Sequence, residues 1–431
     1  MAAMHILITG ATGLIGSHLA RALTARGHRV IAAGRHAAEP GSTACTLTVD
    51  FAQAPGRHWW APRLTAVDAV VNAVGIFEEH GTQTFEALHE RAPISLFEGA
   101  ADAGVSLVVQ ISALGSDAQA DTAFHRSKHA ADEALRTLPV RSVIVQPSLV
   151  YAPLGTSARL FSQLATLPVA VVPSAGAAVQ PVHLHDLVDA LVHIIENPPA
   201  QPCTVAAVGP EPMPLADYLA ALRHALGVRR RAWRVAVPGG WMLWAAAVAH
   251  RLGSSTINAD AVRMLLRGNT ADVSAFAALL GRAPRRVDQF FESADEREAA
   301  RERAQMQTLL ALMRASLAFV WILTGIVSLG AYPVQDSLAL LADFGLRGPL
   351  ATVALYSGGL IDLALGVAVL LAPARALVHV WRAQLAVVLG YTLLITARMP
   401  HWWLHPFGPI SKNLPLLVGI GMLMVVSRRR S

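Results

Sequence analysis

The run Thr9-Gly10-Ala11-Thr12-Gly13-Leu14-Ile15-Gly16 constrains this chain more than any other feature. It follows a short apolar stretch, Met4-His5-Ile6-Leu7-Ile8, and opens a segment with helical spacing (Ile15, Leu19, Ala22, Leu23) that stops at Gly27. Residues 29–33 then read as a second strand. A strand, a glycine turn, a helix and a strand within about 30 residues form the unit that cradles a dinucleotide. Glycines let the backbone turn tightly and approach a pyrophosphate. The helix N-terminus meets it with free N–H groups and the positive end of its dipole. Gly10, Thr12, Gly13, Leu14, Ile15 and Gly16 are therefore the expected phosphate-binding segment.

The choice of dinucleotide is read at the end of the second strand. An acid there suits the ribose hydroxyls of NAD, and an arginine suits the 2′-phosphate of NADP. The sequence at this point is Gly34-Arg35-His36, without an acid, so Arg35 predicts NADP(H). The alternation then continues. Residues 69–72 form a strand ending in Asn72-Ala73-Val74-Gly75, and residues 105–112 form another that enters Ser112-Ala113-Leu114-Gly115. A helix carries Phe124-His125-Arg126-Ser127-Lys128, and residues 141–146 form a strand entering Pro147. Alternating strands and helices predict an α/β Rossmann fold, a doubly wound parallel sheet covered on both faces.

Hydrophobic residues make up 54% of the 431 and charged residues only 15%, and the apolar excess lies after about residue 308. Four apolar segments follow there: 315–332, 349–373, 376–397 and a shorter one at 410–426. A span needs about 20 apolar residues, so a C-terminal four-helix transmembrane bundle is expected. Residues 292–303 are dense in charge and read as a solvated helix leading into it. The expected organisation is thus a Rossmann domain over 1–290 with a substrate-side lobe from about 205, a charged helical linker over 291–309, and a membrane domain over 310–431.

Arginines 301, 303, 314, 375, 382 and 428–430 fall on one side of the expected spans, and Arg347, Arg398 and Lys412 on the other. The positive-inside rule then sets both termini in the cytoplasm. The chain starts directly with a strand, which agrees with a cytoplasmic N-terminal domain. Trp402, Trp403 and Phe407 would lie in the outer aromatic belt. The net charge of +6 is scattered apart from Arg229-Arg230-Arg231 and the terminal arginines, with no aromatic-interleaved basic stripe. Membrane lipid is therefore the expected partner, not nucleic acid.

Asp362 falls in mid-span, where a charge is expensive and usually paired or functional. Counted from the turn at Pro373, Asp362 and Arg382 lie roughly 16 and 13 Å deep at about 1.5 Å per residue. An Asp362–Arg382 pair across antiparallel helices is the expectation, fixing helix packing or lining a polar pocket for a quinone headgroup or a proton. His401 and His405 have the spacing of one helical face and suit an interfacial role. Cys45 and Cys203 lack metal spacing and read as packing thiols in a reducing compartment. His183 and His185 alternate before Asp186, and a structural role outweighs a metal, so no metal site is expected. The apolar stretch 241–248 is too short to span; it suits a pocket wall or a dip into the bilayer surface, and core packing is its expected role.

Together these motifs resemble the short-chain dehydrogenase/reductase superfamily over about residues 4–290. The likeness is greatest to the atypical branch that includes the NADPH-binding accessory subunit of respiratory complex I. Its carriers are the glycine turn, Asn72-Ala73-Val74-Gly75, Ile111-Ser112-Ala113-Leu114-Gly115, Arg126-Ser127-Lys128, Gln146-Pro147-Ser148-Leu149-Val150-Tyr151-Ala152-Pro153 and Pro181-Val182-His183-Leu184-His185-Asp186. The resemblance implies cofactor contacts at Asp50 and Phe51 (adenine), Val74 and Gly75 (ribose side), Lys128 and Pro147. It also implies a Ser–Tyr–Lys chemistry with the Tyr four residues before the Lys on one helix face. The Ser matches Ser112 and the Lys matches Lys128, but the Tyr position holds Phe124, which has no proton to give. Tyr151 resembles a pocket-lining position and is one candidate to reach the substrate; a water held by Ser112 and Lys128 is the other.

Residues 310–431 resemble the DoxX-like membrane family, most tellingly in His405-Pro406-Phe407-Gly408-Pro409-Ile410-Ser411-Lys412-Asn413-Leu414-Pro415. The wider group has members linked to quinone redox chemistry. The expected setting is a bacterial cytoplasmic (inner) membrane. Three functions stay open. The chain is an NADP(H)-dependent oxidoreductase for a lipophilic small molecule or quinone, a non-catalytic NADP(H)-binding module of a membrane redox assembly, or a scaffold that has lost its nucleotide. The intact glycine turn and Arg35 argue against the third.

Overall fold

In the computed structural model, residues 2–35, 45–176, 178–251, 259–406 and 408–428 are described. His36, Phe407, Arg429 and Arg430, named above, lie outside them. The chain forms two compact units, Met1–Ala247 with Ser255–Ala304, and Val248–Ser254 with Gln305–Ser431.

The first unit is built on strands β1 (His5–Thr9), β2 (Arg29–Gly34), β3 (Cys45–Thr48), β4 (Ala69–Asn72), β5 (Leu107–Ile111) and β6 (Ser142–Pro147). With the strand Cys203–Ala207 they make a seven-stranded parallel sheet, in the order Cys203–Ala207, β6, β5, β4, β1, β2, β3. The side chains explain the double winding. Ile6, Ile8, Val71, Val109 and Val145 face one way, into the helices Leu14–Ala25 and Leu184–Glu196. Leu7, Val70, Val108 and Ile144 face the other, into Arg57–Leu64, Ala92–Asp102 and Ala123–Thr137. Strands buried on both faces need near-continuous apolar runs, and β1, β4 and β5 have them apart from His5 and Thr9, Asn72 and Gln110. The strand order reverses between β1 and β4, and the crevice outside their carboxyl ends is where such sheets bind ligands.

A second core gathers Tyr151, Phe161, Tyr218 and Phe290 in the smaller lobe. Asp186, on the helix Leu184–Glu196, is fully buried, accepting from the Arg285 backbone N–H at 2.7 Å and from the guanidinium groups of Arg282 (2.6 Å) and Arg285. His183 caps the helix Leu184–Glu196 by accepting from the His185 N–H at 3.3 Å. Both residues of this motif therefore hold backbone in place. Cys45 departs from expectation: it is exposed, because β3 is an edge strand with only a half-covered face. Cys203 is half-buried. Trp241 and Trp244 are also exposed, at 66% and 63%, whereas core packing had been expected. The helix Gly239–Arg251 buries Ala246 and turns both indoles outward.

Among the described residues three helices are long and apolar enough to cross a membrane: Ala294–Ala331, which begins in the first unit, and Pro349–Leu371 and Ala374–Arg398 of the second. Asn413–Arg428 is a shorter apolar helix completing the four. Val334–Asp343 is a fifth, short helix that the hydropathy pattern did not separate. The first two long helices approach through glycines. A Cβ on Gly366 would come 2.6 Å from Ile322, and one on Gly325 would come 2.8 Å from the Leu363 backbone N. Small residues that let backbones close in are the usual contact between membrane helices.

The expected Asp362–Arg382 pair is not formed among the described residues. Asp362 shares the buried face of its helix with Gly359, Gly366 and Val369. The buried face of the helix Ala374–Arg398 runs through Leu377, Trp381, Gln384 and Val388, and Arg382 is exposed beside it. Equal depth does not give equal azimuth: Arg382 is about 100° around the helix from Trp381. His401 and His405 do not share a helical face either, because Pro400–Leu404 is a 3₁₀ turn with His405 beyond its end. His405 stacks on Trp402 instead, with ring centroids 5.3 Å apart.

Candidate functional site

The crevice begins at the glycine turn. Gly10 has a left-handed backbone (φ +66), and a Cβ there would lie 2.7 Å from the Ala73 carbonyl oxygen. A Cβ on Gly16 would lie 2.3 Å from the Gly10 carbonyl oxygen. The second contact presses the helix start against the turn, and the first presses the turn against the loop after β4. A buried chain of hydrogen bonds fastens the two: the Thr9 hydroxyl donates to Asn72 Oδ1 at 2.6 Å, and Asn72 Nδ2 donates to Gln110 Oε1 at 2.7 Å. The helix Leu14–Ala25 starts at Gly13 with no side-chain cap and no acid in its first turn. Its first N–H groups and dipole are thus free to meet an anion, which fits a dinucleotide pyrophosphate. Arg35 follows the end of β2 and is exposed.

The opposite wall is one stripe of the helix Ala123–Thr137. Thr122 caps it, and its buried face carries Phe124, Lys128 and Asp132. These positions are four apart and share a face. An ammonium and a carboxyl thus occupy an inward stripe where apolar residues would pack without cost. Lys128 Nζ donates to the carbonyl oxygens of Val74 (3.0 Å) and Ile111 (3.1 Å). An ammonium has three donors, so one remains. A Cβ on exposed Gly75 would sit 3.5 Å from that nitrogen, so the backbone of this loop lies directly over the buried ammonium. Burial pulls Lys128 down to about 8 against the opposing pull of Asp132.

Ser112, at the end of β5, donates its hydroxyl to Asp132 Oδ2 at 2.5 Å. Burial pushes the Asp132 carboxyl up, while the Ser112 hydrogen bond and Lys128 hold it down. Sequence reasoning named Ser112 and Lys128 but missed Asp132. The i+4 spacing from Lys128 was the available clue.

His89 was also missed. It is fully buried in a π-helical turn, Glu86–Arg91, a local widening that recurs at functional sites. Its Nε2 accepts from the Ile76 N–H at 2.9 Å, which assigns the proton to Nδ1, 3.2 Å from the Ser127 oxygen. Burial, and then the nearby Lys128 charge, hold this imidazole far below its ordinary range, so it is neutral. Phe124 lies among rings: stacked on Phe77, and edge-on to Phe85, His89 and His125.

The other named residues are placed as follows. Asp50 caps its own 3₁₀ turn, accepting from the Ala52 N–H at 3.1 Å, and Phe51 is buried against Trp60 with centroids 5.9 Å apart. Val74 is half-buried over Lys128, and Pro147 is buried at the end of β6, its carbonyl accepting from the Leu114 N–H. Tyr151 is not in this crevice. It is 1% exposed and stacked on Phe290 at 4.7 Å, and burial pushes its phenol up to about 12. Aromatic packing of the second lobe explains its position.

Comparison with known proteins agrees with this architecture. Residues 6–208 match the NAD dependent epimerase/dehydratase family, and residues 318–421 match the DoxX-like family. A ceramide reductase of Caulobacter vibrioides is 24% identical over 236 residues, covering 54% of this chain and 74% of its own length. A nucleoside-diphosphate-sugar epimerase of Staphylococcus aureus aligns at a TM-score of 0.56 and 16% identity, over 67% of this chain and all (100%) of its own. UDP-glucuronic acid 4-epimerase of Bacillus cereus, solved with UDP-glucuronic acid and NAD, aligns at 0.51 and 17% identity, over 70% of this chain and 100% of its own. At such identities the solved structures establish the fold alone. The chain therefore joins a Rossmann-type domain similar to the NAD dependent epimerase/dehydratase family to a C-terminal domain similar to the DoxX-like family.

Proposed function

We propose that the chain is an NADP(H)-dependent oxidoreductase that reduces a lipophilic carbonyl substrate, with quinones among the candidates. The buried set Ser112–Asp132–Lys128, kept beside the glycine turn, carries this reading. A merely structural helix has no use for an ammonium and a carboxyl on its inward stripe. The relative named ceramide reductase adds weight to a lipid substrate.

The residues have separable tasks. N–H groups at the start of Leu14–Ala25 bind the pyrophosphate, and Arg35 reaches the 2′-phosphate. The third donor of Lys128 holds a ribose hydroxyl beside Gly75. Bound there, a reduced nicotinamide supplies hydride. In its protonated form, which burial favours, Asp132 donates to Ser112 Oγ in place of accepting from it, and Ser112 passes its own proton to the substrate oxygen. This relay does the work for which Phe124 has no hydroxyl. Neutral His89 and the rings around Phe124 keep water from that side. The domain and both termini lie on the cytoplasmic side of a bacterial inner membrane, as the arginine distribution favours.

Phe124 favours a second reading, a non-catalytic NADP(H)-binding module of a membrane redox assembly. Titration of the detergent-purified chain with NADPH and NADH, followed by turnover with short-chain quinones and a long-chain keto-lipid, separates the two. Turnover supports the enzyme. Tight NADPH binding without turnover, unchanged in Phe124→Tyr, supports the module. No binding overturns both.

A further inference from the structure

The first unit carries an apolar surface that the crevice does not use. Strands Val169–Pro173 and Trp233–Val237 pair in parallel, with Trp233 opposite Val169 and Val235 opposite Val171. Paired residues of a parallel ladder point to one face. All four are exposed: Trp233 80%, Val171 50%, Val235 45% and Val169 37%. Ala170 and Val172 alternate inward to the lobe's core, so the strand has a true outer face and that face is hydrophobic. Pro238 alone separates the second strand from the helix Gly239–Arg251, whose Trp241 and Trp244 are exposed with rings edge-on at 6.1 Å. Immediately before the strand stands Arg229-Arg230-Arg231, exposed throughout. Arg234 is paired with Asp217 at 3.1 Å and so is already matched.

We propose that this strand pair and helix form a second, peripheral attachment of the dinucleotide-binding unit to the membrane, seated on a leaflet rich in anionic headgroups. Three features select a lipid surface over a protein partner. Tryptophan prefers the boundary between headgroups and acyl chains, where its ring is buried and its N–H stays wet. The arginine run complements anionic headgroups and is placed next to the apolar face, the arrangement of an interfacial anchor. The chain also carries its own apolar membrane helices, so a bilayer is always within reach of this unit. Attachment by spans alone ties the unit to the membrane through a single helix. A second contact restricts it to one face toward the lipid.

The full chain tests this in vesicles of equal parts phosphatidylcholine and phosphatidylglycerol. In a Cys45→Ser, Cys203→Ser background, an environment-sensitive fluorophore is attached at Trp233→Cys, Trp241→Cys or, as a control, Glu133→Cys on an outward helix face. Nitroxide-labelled lipid is expected to quench the first two probes several-fold more than the third. Each arginine neutralised by R229Q, R230Q or R231Q is expected to weaken the contact about fivefold. The triple variant should therefore bring quenching down toward the control, as should phosphatidylcholine alone. Quenching equal to the control in anionic vesicles overturns the proposal. So does burial of the probes in lipid-free detergent that grows with protein concentration, since a second copy of the chain would then cover the face.

Discussion

Phe124 stacks on Phe77 with ring centroids 5.3 Å apart and planes 17° from parallel, although Phe77 is 74% exposed. The position that would hold a phenol is thus finished as an apolar wall. Its outer ring, Phe77, is exposed, which suits contact with a hydrophobic substrate. Phe124→Tyr is expected to raise kcat for carbonyl substrates about tenfold or more, since a positioned acid is typically worth about 10²–10⁴. NADPH affinity should stay within about twofold, because no cofactor contact changes. Steady-state kinetics with direct cofactor titration checks both.

Arg35→Ala is expected to weaken NADPH binding while leaving NADH unchanged. A lost charge-assisted hydrogen bond costs about 1.5–3 kcal/mol, or roughly ten- to a hundredfold. Parallel calorimetric titrations of the two cofactors would decide it, and an equal loss for both would count against a 2′-phosphate contact.

The Ser112–Asp132 relay carries a pH signature. Asp132 must be protonated to donate, so kcat falls as pH rises through its raised pKa. Asp132→Asn should remove that limb of the profile, and Ser112→Ala should lower kcat about a hundredfold with cofactor affinity nearly unchanged. Separately, NADPH affinity should decline as pH rises through about 8, where Lys128 loses its charge. Lys128→Met should abolish that second dependence.

Buried neutral histidines make the first unit acid-sensitive. His183 is held down to about 4 by burial, then by His185 and Arg285, and His89 lower still. The unfolded chain takes up each proton near 6.5, and the folded one refuses it until much lower pH. Stability is therefore full above about 6.5 and falls with pH, by about 2 kcal/mol per histidine between 6.5 and 5. His89→Gln should reduce this slope in denaturant titrations followed across that range.

Much of the fold was readable because its determinants are local. The glycine turn, the largely apolar strands and the long hydropathic segments each declare themselves within a few residues. Ser112 and Lys128 were readable for the same reason, through short motifs. Asp132 and His89 were not. Their roles depend on which way a helix faces and on a π-helical turn, and an i+4 carboxyl reads from sequence as an ordinary solvated pair. The Asp362–Arg382 expectation failed on azimuth, which depth alone does not determine. Trp241 and Trp244 failed on burial, because a short apolar helix looks alike whether it packs inward or outward.

The glycine seam between the first two long helices has a mechanical consequence. With Gly366 against Ile322 and Gly325 against Leu363, the two backbones are interlocked at van der Waals contact. Sliding one helix by a turn, about 5.4 Å, would set Ile322 against Asp362 or Leu370 in place of the glycine. Neither side chain fits the gap. These two helices behave as one fixed post, so any motion or small-molecule path in the membrane unit must use the helices that do not meet along this seam.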